Sequence, residues 1–172
     1  MISRKRANAD SARDMLADPA SSAFRIVNYP FYRMARVCNI YAACLDHGLK
    51  PRGMDQPRWR VLMILSEHNP AAMGLIAEMA VMKLPTVVKL VQRMKQEGLV
   101  RTAPRASDQR VREVIITAVG RRGLSFVKQA ASEVYADAVA SLGRAQLAQL
   151  NALLRELEVN LQKSQRMRRR VA

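Results

Sequence analysis

LIAEMAVMKLPTVVKLVQRMKQEGLVRTAPRASDQRVREVIITAVGRRGL, residues 75–124, decides the fold, because its apolar period changes along it from helical to strand-like and back. From Pro85 to the stop at Gly98, the residues Val87, Leu90, Val91 and Met94 recur at i, i+3, i+4 and i+7, one face of an amphipathic helix. A shorter helix from about Gly74 to Val81 precedes it across a tight turn, and two apolar helices joined in this way predict a helix-turn-helix. Beyond Gly98, Leu99–Ala103 and the β-branched Val111–Thr117 flank a polar turn, Pro104–Arg110, and predict a two-stranded hairpin. Thr117 then caps a long helix reaching about Leu142.

Outward from this centre the chain reads as helix on both sides. After Asn28, Tyr29 and Pro30, the residues Phe31, Met34, Cys38, Tyr41 and Leu45 repeat at spacings of 3, 4, 3 and 4, a narrow seam on one helix. Gly48, Pro51 and Gly53 break it, and Asp55 caps a second helix through Trp59, Leu62, Met63 and Leu65 that closes at His68, Asn69 and Pro70. At the other end Leu147, Leu150, Leu154, Leu157 and Leu161 repeat the same spacing before a basic tail, RMRRR. That tail suits either phosphate contacts or a solvated helix C-terminus, where cations are also favoured. Each terminal stripe exceeds what one small core covers, so a homodimer is expected; wrapping the chain's own core is the alternative use.

Charge narrows the partners. Twenty-nine Lys and Arg against 14 Asp and Glu leave a formal +15 and a pI near 11.0, a surface that seeks polyanions without choosing among DNA, RNA and lipid. From Leu75 through Arg122 the excess is ten basic to four acidic residues, so it falls on the predicted motif. The eight aromatic residues are too few for a β-sandwich core or a base-stacking platform. No run approaches 18 uncharged apolar residues and the basic N-terminus has no apolar stretch behind it, so no membrane partner is expected and a cytoplasmic location is. Cys38 and Cys44 lie about 240° apart around their helix and cannot pair there, which suits a reducing compartment. With two histidines and no paired-acid, metal-ligand or glycine-rich phosphate motif, neither an enzyme nor a cofactor is expected.

The quoted segment resembles the winged helix-turn-helix of the MarR family of bacterial regulators. The resemblance rests on a recognition helix ending in Glu97, Gly98, Leu99, Val100 and Arg101, a wing with Asp108, Gln109 and Arg110, and Thr117 and Gly120 opening the next helix; it spans roughly residues 30–162. The implied fold is mainly α with a small β-hairpin wing (α+β), a winged helix-turn-helix with long N- and C-terminal dimerisation helices. Residues 1–22 then form a flexible arm, 23–54 and 118–172 the helical dimerisation region, and 55–117 the DNA-binding domain. The family further implies a triangular homodimer on a pseudo-palindromic operator, in many members a repressor released by small aromatic ligands. The chain departs from the pattern in two places: Lys83 and Leu84 stand where Ser, Asp or Asn often precedes the helix, and Gln109 takes a frequent arginine position.

Opposite the apolar face of the recognition helix lie Thr86, Lys89, Gln92 and Arg93, with Lys83 before its start, a set suited to the major groove of double-stranded DNA. An ordinary solvated face, and for Thr86 local capping, are the competing readings. Arg105, Arg110 and Arg112 of the hairpin suit the minor groove, and by resemblance Asp108 orients the wing arginine. Effectors of the family lodge between the dimerisation helices and the DNA-binding lobe, which here implicates Arg36, Asn39, Trp59 and Arg60; core and surface roles compete. An anionic aromatic acid, or its coenzyme A thioester, matches such a site in a positive field. Two further readings stay open: a nonspecific architectural DNA- or RNA-binding protein, and a redox-sensing repressor using Cys38, which lies on the first helix's seam as reactive cysteines do in some relatives.

Overall fold

The computed structural model describes residues 16–171. Of the arm expected over residues 1–22, only 16–22 fall within that range, where a tight turn is closed by Ser21 N–H on the Asp18 carbonyl at 3.0 Å, and Arg25 N–H reaches back across nine residues to the Leu16 carbonyl at 2.8 Å.

Proline stands in the first turn of three helices, where its missing N–H would have no helical partner in any case. These are α1 (Pro30–Leu49), α2 (Gln56–Glu67) and α4 (Leu84–Gln96). Between α2 and α4 lie β1 (Ala71–Ala72) and the short α3 (Met73–Met79). The hairpin is β2 (Val100–Arg105) and β3 (Asp108–Ile116), followed by α5 (Ala118–Val139) and α6 (Arg144–Val171). The helix-turn-helix, the wing and the flanking helices therefore occur in the expected order.

Local chemistry sets the boundaries. Asp55 accepts the Arg58 N–H at 2.9 Å and so caps α2, while Gly53 turns the chain at a φ of +66° after a short 3-10 turn, Lys50–Arg52. Thr117 accepts the Gly120 N–H at 3.0 Å and donates its hydroxyl to the Gly98 carbonyl at 2.6 Å. One side chain thus caps α5 and anchors the end of the recognition helix. Gly120 is required there, since a Cβ would fall 2.0 Å from the Leu99 carbonyl oxygen.

Two expectations about the sheet need correction. The segment Pro104–Arg110 is mostly strand: β2 and β3 run antiparallel from Val100 opposite Ile116 to Arg105 opposite Asp108, with a bulge between Pro104 and Arg105, and only Ala106 and Ser107 turn. Backbone pairing continues because the polar side chains of this ribbon face solvent and cost nothing there. A third strand was also not foreseen. β1 pairs Ala71 with Val114 and Ala72 with Glu113, giving the order β1-β3-β2, and two alanines show no period to read.

The core gathers Leu45 and Leu49 of α1, Leu62 and Leu65 of α2, Ile76 of α3, Val87 and Met94 of α4, Val114 of β3 and Val127 of α5, all fully buried. The seam of α1 is only partly consumed by it: Leu45 is buried, Met34 and Tyr41 are half-buried, and Phe31 and Cys38 are exposed. Two compact units are distinguishable, the first ending at Val134 and the second beginning at Tyr135. In the second, α6 starts where Gly143 N–H bonds the Gln146 side chain at 2.8 Å, and Leu150, Leu153, Leu154 and Leu161 are exposed along it.

Candidate nucleic-acid interface

The face of α4 follows from its buried side. With Val87, Leu90, Val91 and Met94 in the core, Thr86, Lys89, Gln92 and Arg93 are left exposed on the rest of the helix, and Lys83 is its exposed N-cap residue. The structure brings these five residues onto one short helix and its entry. Beside them a cleft of about 260 Å³ opens between Asp55 and Pro57 of α2 and Thr86, Lys89 and Arg93. Thr86 is exposed in the first turn, with its backbone N–H bonded to the Lys83 carbonyl at 2.9 Å.

Arg58 holds the far end of α4. Its side chain, 11% exposed, pairs with both Asp55 at the start of α2 and Glu97 just past the last turn of α4, with Nε donating to Glu97 Oε2 at 2.8 Å. The Arg58 hydrogen bond is the largest influence on Glu97 and holds its carboxyl below the ordinary glutamate value, against a smaller opposing effect of burial. The same pairing raises the Arg58 guanidinium. Sequence reading missed this bridge. Asp55 and Arg58 are visible as an i, i+3 pair, but nothing local links them to a glutamate 39 residues away.

On the wing, Arg110 is 91% exposed and bonds Asp108 through its backbone N–H and Nε, each at 3.1 Å. The guanidinium hydrogen bond, followed by the backbone one, keeps the Asp108 carboxyl below its usual value. Arg112 is exposed beside it, whereas Arg105 has its Nε engaged by Glu113 at 2.7 Å. Of the three wing arginines expected at the interface, Arg110 and Arg112 are thus presented outward and Arg105 is tied down.

The four expected effector residues divide. Trp59 is half-buried against Tyr41, ring centroids 6.4 Å apart, and its buried Nε1 has no hydrogen-bond partner among the described residues. Arg60 donates to the Ala80 carbonyl at 3.1 Å. Burial raises the Tyr41 phenol, and the nearby Arg60 charge offsets this in part. Arg36 and Asn39 are exposed on α1, with Arg36 folded over Tyr32 at 5.7 Å from the ring centroid. Tyr41 was read only as a seam residue, yet it supplies the hydroxyl of this cluster. A separate groove of about 410 Å³ lies between Arg52, Met54, Leu99, Arg122 and Phe126, with Arg52 5.0 Å above the Phe126 ring. Cys38 and Cys44 are both free and exposed. Among the described residues no group of three or more His, Cys, Asp or Glu is placed to hold a metal, and no helix is long and apolar enough to cross a membrane.

Comparison with known proteins gives a consistent result. A family model described as MarR family matches residues 47–111. The HTH-type transcriptional repressor IacR of Pseudomonas putida is 40% identical over 145 residues, covering 84% of this chain and 87% of that protein. Among solved structures, CouR from Rhodococcus jostii RHA1, bound to p-coumaroyl-CoA, aligns with a TM-score of 0.72 at 19% identity over 77% of this chain and 94% of that one. Bordetella bronchiseptica BpsR, whose DNA binding is regulated by 6-hydroxynicotinic acid, aligns at 0.71 and 16% identity over 78% and 96%. At these identities the two structures speak to the shared fold.

Proposed function

The chain belongs to the MarR family of transcriptional regulators, and we propose that it is a cytoplasmic repressor that binds a pseudo-palindromic operator as a homodimer and is released by a small anionic aromatic acid or its coenzyme A thioester. The observation that carries the DNA reading is the recognition helix itself: four buried apolar residues fix its roll, and this leaves Lys89, Gln92 and Arg93 outward. In the major groove Lys89 would donate to a base edge or phosphate, and Thr86 would meet a methyl group or phosphate. The exposed Arg110, steadied by Asp108, together with Arg112 would enter the adjacent minor groove, where arginine senses width and negative potential. Arg105 contributes from its ion pair with Glu113, and Lys83 addresses the backbone at the helix entry.

The dimer reading is supported by apolar surface on both terminal helices: Phe31, Val37 and Ile40 on α1 and the exposed leucines of α6. The effector reading is supported by Tyr41, Trp59 and Arg60, two aromatic rings with a cation and an indole N–H that has no partner among the described residues, by the p-coumaroyl-CoA bound to CouR and by the regulation of BpsR by 6-hydroxynicotinic acid. Arg36 and Asn39 are exposed on the side of α1 away from Tyr41, so they would meet an effector only on another face of that helix.

Titration of operator duplexes over several salt concentrations tests the DNA reading. Lys89→Ala should lose about 1–3 kcal/mol at one operator position if the amine reaches a base. Arg110→Ala should weaken binding most on operators with A·T-rich flanks and flatten the salt dependence. Wild-type affinity and salt slope in both variants, each folded, would remove helix and wing from the interface.

A further inference from the structure

The polar residues of α4 do not account for its leading end. Leu84 and Val88 are 48% and 40% exposed, and Val81, in the turn before the helix, is 87% exposed. Leu84 and Val88 lie one turn apart and so form one line along the helix. None of the three is used by the core, which takes Val87, Leu90, Val91 and Met94 instead. Val81 is also held at a φ of +54°, a left-handed conformation that β-branched residues avoid. Glycine would adopt it freely, so the turn keeps an isopropyl group in solvent at a cost in backbone strain, and strain of this kind gathers at functional positions.

Resting on the DNA-binding reading above, we propose that Val81, Leu84 and Val88 form an apolar edge at the start of the recognition helix that reads the 5-methyl groups of thymines in the operator half-site. The surroundings select this occupant. Exposed Lys83 precedes the edge, Lys95 continues the line of Val88 two turns on, and Lys89 follows Val88 directly, cations that complement phosphate, so what the edge faces is a polyanion. In a major groove the apolar feature on offer is the thymine methyl, whereas the minor groove displays none. The edge also distinguishes DNA from RNA, because uracil lacks that methyl group. It would place shape and methyl contact at the helix entry, where Leu84 carries no hydrogen-bonding group.

The test begins with selection of an operator from random duplexes by the intact protein. Each half-site thymine is then replaced in turn by deoxyuridine, and affinity is measured by fluorescence anisotropy at fixed salt. Wild-type protein should bind about fourfold more weakly for each contacted methyl removed, the factor carried by burying one methyl-sized group, with an unchanged salt slope. Leu84→Ala or Val88→Ala should abolish that sensitivity at the position it contacts. The uracil series alters only the DNA, so its refuting outcome stands even if a variant folds poorly, and the two alanine variants separate the edge from Thr86. Equal affinity for thymine and uracil at every position overturns the proposal and leaves sequence-selective DNA binding intact. Failure to select any sequence overturns the operator-binding reading and this one with it.

Discussion

Val81→Gly should make the protein more stable, although it deletes an apolar side chain. A left-handed conformation costs an L-residue roughly 1–2 kcal/mol, with valine at the upper end because its branched Cβ crowds the backbone. Glycine removes that cost but returns about 0.5–1 kcal/mol through the greater freedom of its unfolded chain. With 87% of Val81 in solvent, the burial lost is small, about 0.3 kcal/mol. The net expectation is a gain of about 0.5–1 kcal/mol, or about 1–4 °C for a chain of this size. Urea denaturation at one fixed protein concentration should show a higher midpoint at constant slope, since association itself shifts apparent stability. Val81→Asn should fall between the two, as asparagine tolerates this conformation better. A midpoint at or below wild type for Val81→Gly, with unchanged slope, would refute the idea that the turn is strained. On a thymine-bearing operator the more stable variant should bind less tightly, a trade of stability against function.

The Arg58–Glu97 bridge should make stability acid-sensitive. Because the folded-state value of Glu97 lies below the unfolded 4.5, the contribution is complete above pH 4.5 and is lost as pH falls through the folded value. Wild type and Glu97→Gln should therefore differ by about 1–2 kcal/mol near neutrality, discounted for the partial exposure of Glu97, and converge in acid; a gap that widens below pH 4.5 would contradict this. Gly120→Ala should cost about 3 kcal/mol by denaturant midpoint, because the added carbon meets backbone, whereas Gly123→Ala meets only the flexible Met54 terminus at 2.8 Å and should cost much less; equal costs would argue against the close approach. Leu154→Glu combined with Leu157→Glu should yield monomers or unfolded chain in sedimentation, and an unchanged folded dimer would remove α6 from the interface.

What could be read from the sequence was whatever repeats or punctuates locally. Val87, Leu90, Val91 and Met94 announced their helix and its buried side because all four share one periodic face, and all four are in the core. Asp55 and Thr117 announced helix starts because a cap depends on neighbours three residues away. The candidate site was legible in part for the same reason: once the inward face is known, the exposure of Thr86, Lys89, Gln92 and Arg93 follows by geometry. The misses are all long-range or conformational. Pairing of Ala71 with Val114 and of Arg58 with Glu97 joins residues far apart in the chain, and nothing in either segment encodes the partner. Extension of the strands through Arg105 and Asp108 depended on pairing across a two-residue turn, and polar side chains there masked it. The left-handed Val81 was invisible because its residue type argues against the conformation it adopts.

The anchoring at the end of α4 has a mechanical corollary. Gly98 is tied to the Thr117 hydroxyl, Glu97 to Arg58, and the Leu99 carbonyl occupies the space beside Gly120, so three restraints converge within three residues. The other end of the helix, the proposed reading end, is 13 residues away, or about 20 Å. The helix is therefore a pointer clamped at its base. A rotation of about 10° where α5 begins would carry the tip through ~3.4 Å, one base step along a strand. Few contacts at the clamp need change for the protein to lose its place on the duplex.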